Sequence, residues 1–128
     1  MSYNVLIVDD SLTMRRVIRK SVALSGFDLG ECWEAGNGKE ALEVLQTHWV
    51  DLILADLNMP VMNGLEMMRE LKKDEGHQKI PVILITTEGS EERLGEAYAL
   101  GIKGYIQKPF HPEKIRDMLT NVMEVPHV

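Results

Sequence analysis

The chain has 128 residues, enough for one domain with its own core. Its formal charge of −6 argues against a nucleic-acid-binding face, and its single cysteine, Cys32, excludes an intrachain disulfide and an all-cysteine zinc site and fits a reducing compartment. No apolar run approaches the roughly 20 residues of a membrane span, and the N-terminus lacks a signal peptide's order, so a cytoplasmic protein without a membrane partner is expected.

In chain order, the first apolar run (residues 5–8, VLIV) leads straight into two carboxylates, Asp9 and Asp10. Ser11 is then a candidate N-cap for a helix carrying Met14, Val17, Ile18 and Val22 on one face, with Gly26 as its stop. Residues 31–35 are mixed and suit an edge strand, and Ala41, Leu42 and Leu45 follow Asn37 at helical spacing. The run 52–55 ends at Asp56, and Leu65, Met68 and Leu71 follow Asn63. The run 82–85 ends at Thr86 and Thr87, and Leu94, Ala97 and Tyr98 follow Ser90. A weaker run, 104–106, leads to Lys108 and Pro109, and Ile115, Met118, Leu119 and Val122 follow Pro112, a good first-turn residue. The pattern is β-α five times over. Continuously apolar strands imply burial on both faces, as in a parallel sheet covered by helices. Residues 1–124 form the expected domain and 125–128 a short tail.

Ligands of such sheets collect beyond the carboxyl ends of the strands. Asp9, Asp10, Asp56, Thr86 and Lys108 all fall there. Clustered carboxylates call for a cation, and oxygen-only ligands favour a hard ion such as Mg²⁺. A metal, an ammonium and a hydroxyl around a carboxylate suit the stabilisation of a transferring phosphoryl group, with Asp56 as nucleophile. Taken singly, an acidic pair after a strand is an ordinary helix N-terminal charge and a lysine an ordinary solvated one. Their joint placement at separate strand ends favours the functional reading.

At these residues, in VLIVDDS, DLILADLNMPVMNG, ILITTEG and GYIQKPF, the sequence resembles the receiver domain of two-component response regulators, over nearly the whole chain. SLTMRRVIRK, the NMP after Asp56 and Tyr105 look most like the stand-alone chemotaxis regulators of the CheY type, for which no output domain is expected to follow. The resemblance implies a flavodoxin-like, doubly wound five-stranded parallel sheet of order 2-1-3-4-5 with five helices. It implies a switch rather than an enzyme, in which Asp56 accepts a phosphoryl group from a histidine kinase. Asp10, Asp56 and the carbonyl of Asn58 would ligate Mg²⁺, with Asp9 acting through water. Lys108 would pair with the phosphoryl oxygens, and Thr86 would draw its loop inward as Tyr105 turns from exposed to buried. Pro109 would follow a cis peptide bond. Asn58 and Glu88 would tune the lifetime of the acyl phosphate. The output face would be that of the fourth helix, fifth strand and fifth helix, binding a partner such as the flagellar motor switch. The implied protein is monomeric and leaves room for a phosphatase.

Some residues depart from the pattern. Thr87 stands where the family usually has a smaller residue, Leu57 replaces a tryptophan, and Gly95 lies inside the fourth helix, where it is expected to soften the output face. Met62, Met67 and Met68 read as core, Cys32 as a buried small hydrophobe, and the four histidines as surface residues. Arg15, Arg16, Arg19 and Lys20 read by default as a solvated stripe on the first helix, with docking of a kinase as the alternative. A phosphate sink or relay intermediate remains open beside the motor-binding regulator. A Mg²⁺-dependent aspartyl phosphohydrolase is disfavoured because Asn58 replaces the acid needed two places after the nucleophile. A non-phosphorylated interaction module stays open and predicts no modification of Asp56, while an FMN carrier fits the fold but not the acid cluster.

Overall fold

The computed structural model describes residues 2–123, so the tail expected over 125–128 and His127 lie outside the described residues. The elements alternate as read: β1 (Tyr3–Val8), α1 (Leu12–Leu24), β2 (Leu29–Ala35), α2 (Gly38–Thr47), β3 (Leu52–Ala55), α3 (Gly64–Lys72), β4 (Val82–Thr86), α4 (Glu91–Ala99), β5 (Gly104–Gln107) and α5 (Pro112–Met123). All neighbouring strands are parallel and the order is β2-β1-β3-β4-β5, a flavodoxin-like sheet.

Strand alternation splits the core in two. Leu6, Val8, Ile53, Ala55, Val82 and Leu84 face one way, onto α2, α3 and α4. Val5, Ile7, Leu52, Leu54, Ile83 and Ile85 face the other way, onto α1 and α5. Successive residues of a central strand therefore enter different layers, and both layers are apolar. No helix among the described residues is long and apolar enough to cross a membrane.

Four helices start at side-chain caps, the first at Ser11 as expected and the others at the residues from which their helical spacing is counted. Ser11, Asn37, Asn63 and Ser90 each accept a hydrogen bond from the backbone amide three residues on. At α3 the cap is reciprocal, with Glu66 accepting from the amide of Asn63. Helix α1 stops before Gly26, whose φ of 83° is a conformation that glycine adopts without steric cost.

Five readings change in detail. Strand β2 begins at Leu29, earlier than residue 31, because an edge strand lacks the continuous apolar signal of the central ones. Val17 is 44 % exposed, and Ser21 occupies the buried face of α1 with its hydroxyl donating to the Val17 carbonyl. Tyr98 is likewise 48 % exposed, so α4 buries only Leu94 and Ala97. Met67 and Met68 are core and Met62 is half-buried against it. Cys32 is half-buried rather than fully enclosed, and burial, with Arg19 opposing it, raises the pKa of its thiol. His48 and His111 are exposed and His77 is half-buried.

Candidate functional site

Strand register assembles the site. Val8 pairs with Ala55, so Asp9 and Asp56, the next residue of each strand, emerge side by side. The Asp56 amide donates to the Val8 carbonyl, and the Asp9 amide to that of Ala35. Thr86 pairs with Gln107, and the Lys108 amide donates to the Thr86 carbonyl, which brings the lysine to the same rim. The Lys108–Pro109 peptide is cis, as expected.

The acids are held by backbone amides. Asp9, 1 % exposed, accepts at Oδ1 from the Ser11 amide at 2.8 Å. Asp56, 9 % exposed, accepts at Oδ1 from the amides of Leu57 at 2.7 Å and Asn58 at 3.3 Å. Their second oxygens share one cation: Lys108 Nζ lies 2.7 Å from Asp9 Oδ2 and 3.0 Å from Asp56 Oδ2. Burial alone would lower the lysine's pKa, but the two carboxylates outweigh it and hold the pKa above the ordinary lysine value.

Asp10 stands exposed at the edge of the pair. It offers a carboxylate oxygen to a set, with Asp9 and Asp56, whose ligand atoms all lie within 4.8 Å of one another. One ammonium against three carboxylates leaves an excess of negative charge, and every donor is an oxygen. The set therefore fits a hard divalent cation better than a thiolate- or imidazole-seeking one.

The other expected residues surround this centre unevenly. Thr86 is fully buried, and its hydroxyl accepts from the Glu88 amide at 3.1 Å. Thr87 is exposed at the start of the β4–α4 loop, and Pro109 is exposed beyond Lys108. Tyr105 is half-buried against the core beneath α2, α3 and α4. Leu57 is buried.

Two arginines at the rim had not been read as part of it. Arg15 does not lie free on a solvated stripe: its Nη1 donates to the Asp9 carbonyl and its Nε to Glu34, which Arg19 also approaches at 3.4 Å. Arg93, in the first turn of α4, donates from Nη1 to Asn58 Oδ1 at 2.8 Å and to Glu88 Oε1 at 3.2 Å. One sequence signal pointed to the latter. A cation at a helix N-terminus opposes the helix dipole and asks for a local acid.

A protein-family model described as the response regulator receiver domain matches residues 5–120. The chemotaxis protein CheY1 of Helicobacter pylori is 38% identical over 119 residues, covering 92% of this chain and 94% of that protein. A chemotaxis protein CheY homolog of Campylobacter jejuni is 37% identical over 119 residues, covering 92% and 90%. The solved structure of Vibrio cholerae chemotaxis protein CheY4 superposes with a TM-score of 0.85 at 34% identity, covering 95% of this chain and 99% of that one. Matches that run across nearly the whole chain point to one family: the chain belongs to the response regulator receiver domains.

Proposed function

We propose that the chain is a phosphorylation-driven switch of the chemotaxis type, with Asp56 as phosphoacceptor. The observation that carries the reading is the single ammonium of Lys108 shared between Asp9 and Asp56 at 2.7 and 3.0 Å. It is a cation stationed where negative charge would arrive, with the Thr86 hydroxyl on the adjoining strand end.

In this reading an Asp56 oxygen attacks the phosphorus of a kinase's phosphohistidine. The P–N bond breaks, and the imidazole leaves with the electron pair. Asp9, Asp10, Asp56 and the carbonyl of Asn58 would hold Mg²⁺, which when bound supplies a Lewis acid for the phosphoryl oxygens. Lys108 exchanges one carboxylate partner for a phosphoryl oxygen. Thr86, whose hydroxyl accepts from Glu88 in the structure described above, turns its own hydrogen toward another.

The new charge, about −1.5 to −2, exists only in the modified state. The contacts it makes with Thr86 and Lys108 therefore shift the population of conformers. The loop of Thr87 and Glu88 moves inward, Tyr105 follows into the space it leaves, and the cis Pro109 turn keeps Lys108 in place. The α4–β5–α5 face then binds an output protein such as the flagellar motor switch, in the cytoplasm, with Asn58 and Glu88 setting how long the signal lasts.

The test is intact mass after incubation with acetyl phosphate and Mg²⁺. One phosphoryl increment is expected on the wild type, and none on Asp56→Asn or after chelation. A beryllofluoride-locked chain should then retain the output protein in a pull-down that Asp56→Asn does not. A wild type left unmodified by the donor overturns the reading.

A further inference from the structure

Helix electrostatics argues against Arg93 where it stands. Glu91 and Glu92 suit the first turn of α4, while Arg93 puts a cation at the positive end of the dipole. The side chain answers by leaving its own helix. One nitrogen, Nη1, reaches Asn58 Oδ1 at 2.8 Å and Glu88 Oε1 at 3.2 Å. Asn58 lies two residues past Asp56 on the β3–α3 loop, and Glu88 two past Thr86 on the β4–α4 loop. A single guanidinium thus ties together three segments that flank the site, from partly buried positions with side chains 34 % and 21 % exposed for Arg93 and Glu88.

In-line phosphoryl transfer gives that position its meaning. When Asp56 is modified, the donor's leaving group sits on the far side of phosphorus from Asp56. When the acyl phosphate is hydrolysed, water enters from that same side. Its oxygen bonds to phosphorus, the bond between phosphorus and the Asp56 oxygen breaks with the electron pair returning to the carboxylate, and both of the water's protons leave with inorganic phosphate. A group spanning the loops that follow Asp56 and Thr86 borders leaving group and water alike.

We infer that Arg93 is a positioning residue that bridges Asn58 and Glu88 across the mouth of the site and so restricts the approach shared by leaving group and water at Asp56. The bridge engages the amide oxygen of Asn58, which is then not free to orient a water. It also balances the carboxylate of Glu88 and keeps it from reaching inward. The inference rests on the phosphoacceptor role proposed above for Asp56.

The test uses the purified chain with acetyl phosphate and Mg²⁺, following phosphorylation and, after donor removal, phosphoryl loss by intact mass. In Arg93→Ala both rates should rise together by about fivefold, the factor that corresponds to one ordinary hydrogen bond. In an Asn58→Ala background the same change should add clearly less than in the wild type, because one end of the bridge is already gone and only the restraint on Glu88 remains to be lost. Arg93→Met, a good helix former without a donor, gives the same readout if the alanine variant does not fold. Unchanged rates, or effects additive with Asn58→Ala, overturn the inference while leaving Asp56 as phosphoacceptor. Slower phosphorylation with unchanged loss also overturns it, since the arginine would then only attract the anionic donor. A wild type that takes up no phosphoryl group overturns the role of Asp56, and this inference with it.

Discussion

On the β1–β3 side of the rim the functional groups are carboxylates fixed by backbone. Asp9 and Asp56 each accept from amides within two residues of themselves, and the Val8–Ala55 pairing sets their spacing. On the β4–β5 side the hold is sparser and partly through side chains: Lys108 rests on the carboxylates of Asp9 and Asp56. The Thr86 hydroxyl rests on one amide, and α4 is tied to the rim through the Arg93 bridge. The helices that follow differ in the same sense. Helices α3 and α4 are both nine residues long, yet α3 buries five of them and α4 two. One half of the site is three clustered carboxylates, two of them held by backbone amides. The other has fewer contacts, and the helix that follows it buries fewer residues, which is the pattern of a segment that opens more easily.

Adding or chelating Mg²⁺ tests the carboxylate half most strongly. Mg²⁺ at about 100 times its dissociation constant should stabilise the chain by about 2.7 kcal/mol. That gain would appear as a higher urea midpoint with an unchanged slope. Asp10→Asn should lose most of it, since Asp10 is the exposed member of the carboxylate set and has no role in the core. A midpoint that ignores Mg²⁺ would break the contrast between the halves at its root.

A smaller effect comes from Gly64, at the start of α3. A Cβ there would lie 2.7 Å from the Asp56 carbonyl oxygen and 3.0 Å from the Leu57 Cα. Both are backbone atoms of the segment that carries Asp56, so neither can yield cheaply. Gly64→Ala should cost about 2 kcal/mol in chemical denaturation. It should also slow phosphorylation by displacing Asp56. If stability falls while the phosphorylation rate holds, the acceptor's position depends less on this loop than its hydrogen bonds indicate.

What the sequence revealed divides along the same line. The doubly buried strands β1, β3 and β4 read as unbroken apolar runs, and with them came the positions of Asp9, Asp10, Asp56 and Thr86. Edge strand β2 and helix faces carrying small or amphipathic residues were less legible. Ser21 satisfies its own hydroxyl within α1 and so can replace Val17 on the buried face. Arg93 meets Asn58 across 35 positions of chain, a distance over which periodicity carries no information. Nor did anything in the pattern mark Val61, an exposed β-branched residue held at φ 67° in the β3–α3 loop.

Gly95 offers the mildest perturbation, and it addresses the loose half directly. It lies inside α4, exposed, and a Cβ built on it would meet nothing within 4 Å. Steric demand therefore does not explain the glycine, and alanine should fit without adjustment. Gly95→Ala should stabilise the chain by about 0.5–1 kcal/mol, because glycine gives up more backbone freedom on entering a helix. If α4 is loose because few of its residues are buried and one of them is glycine, amide exchange within α4 should slow more than exchange in α3. Affinity for an output protein should then depend less on phosphorylation, because a stiffer α4 samples fewer conformers for the modification to select among. Equal slowing in both helices would mean that the glycine affects only global stability. The looseness of α4 would then come from its sparse packing alone.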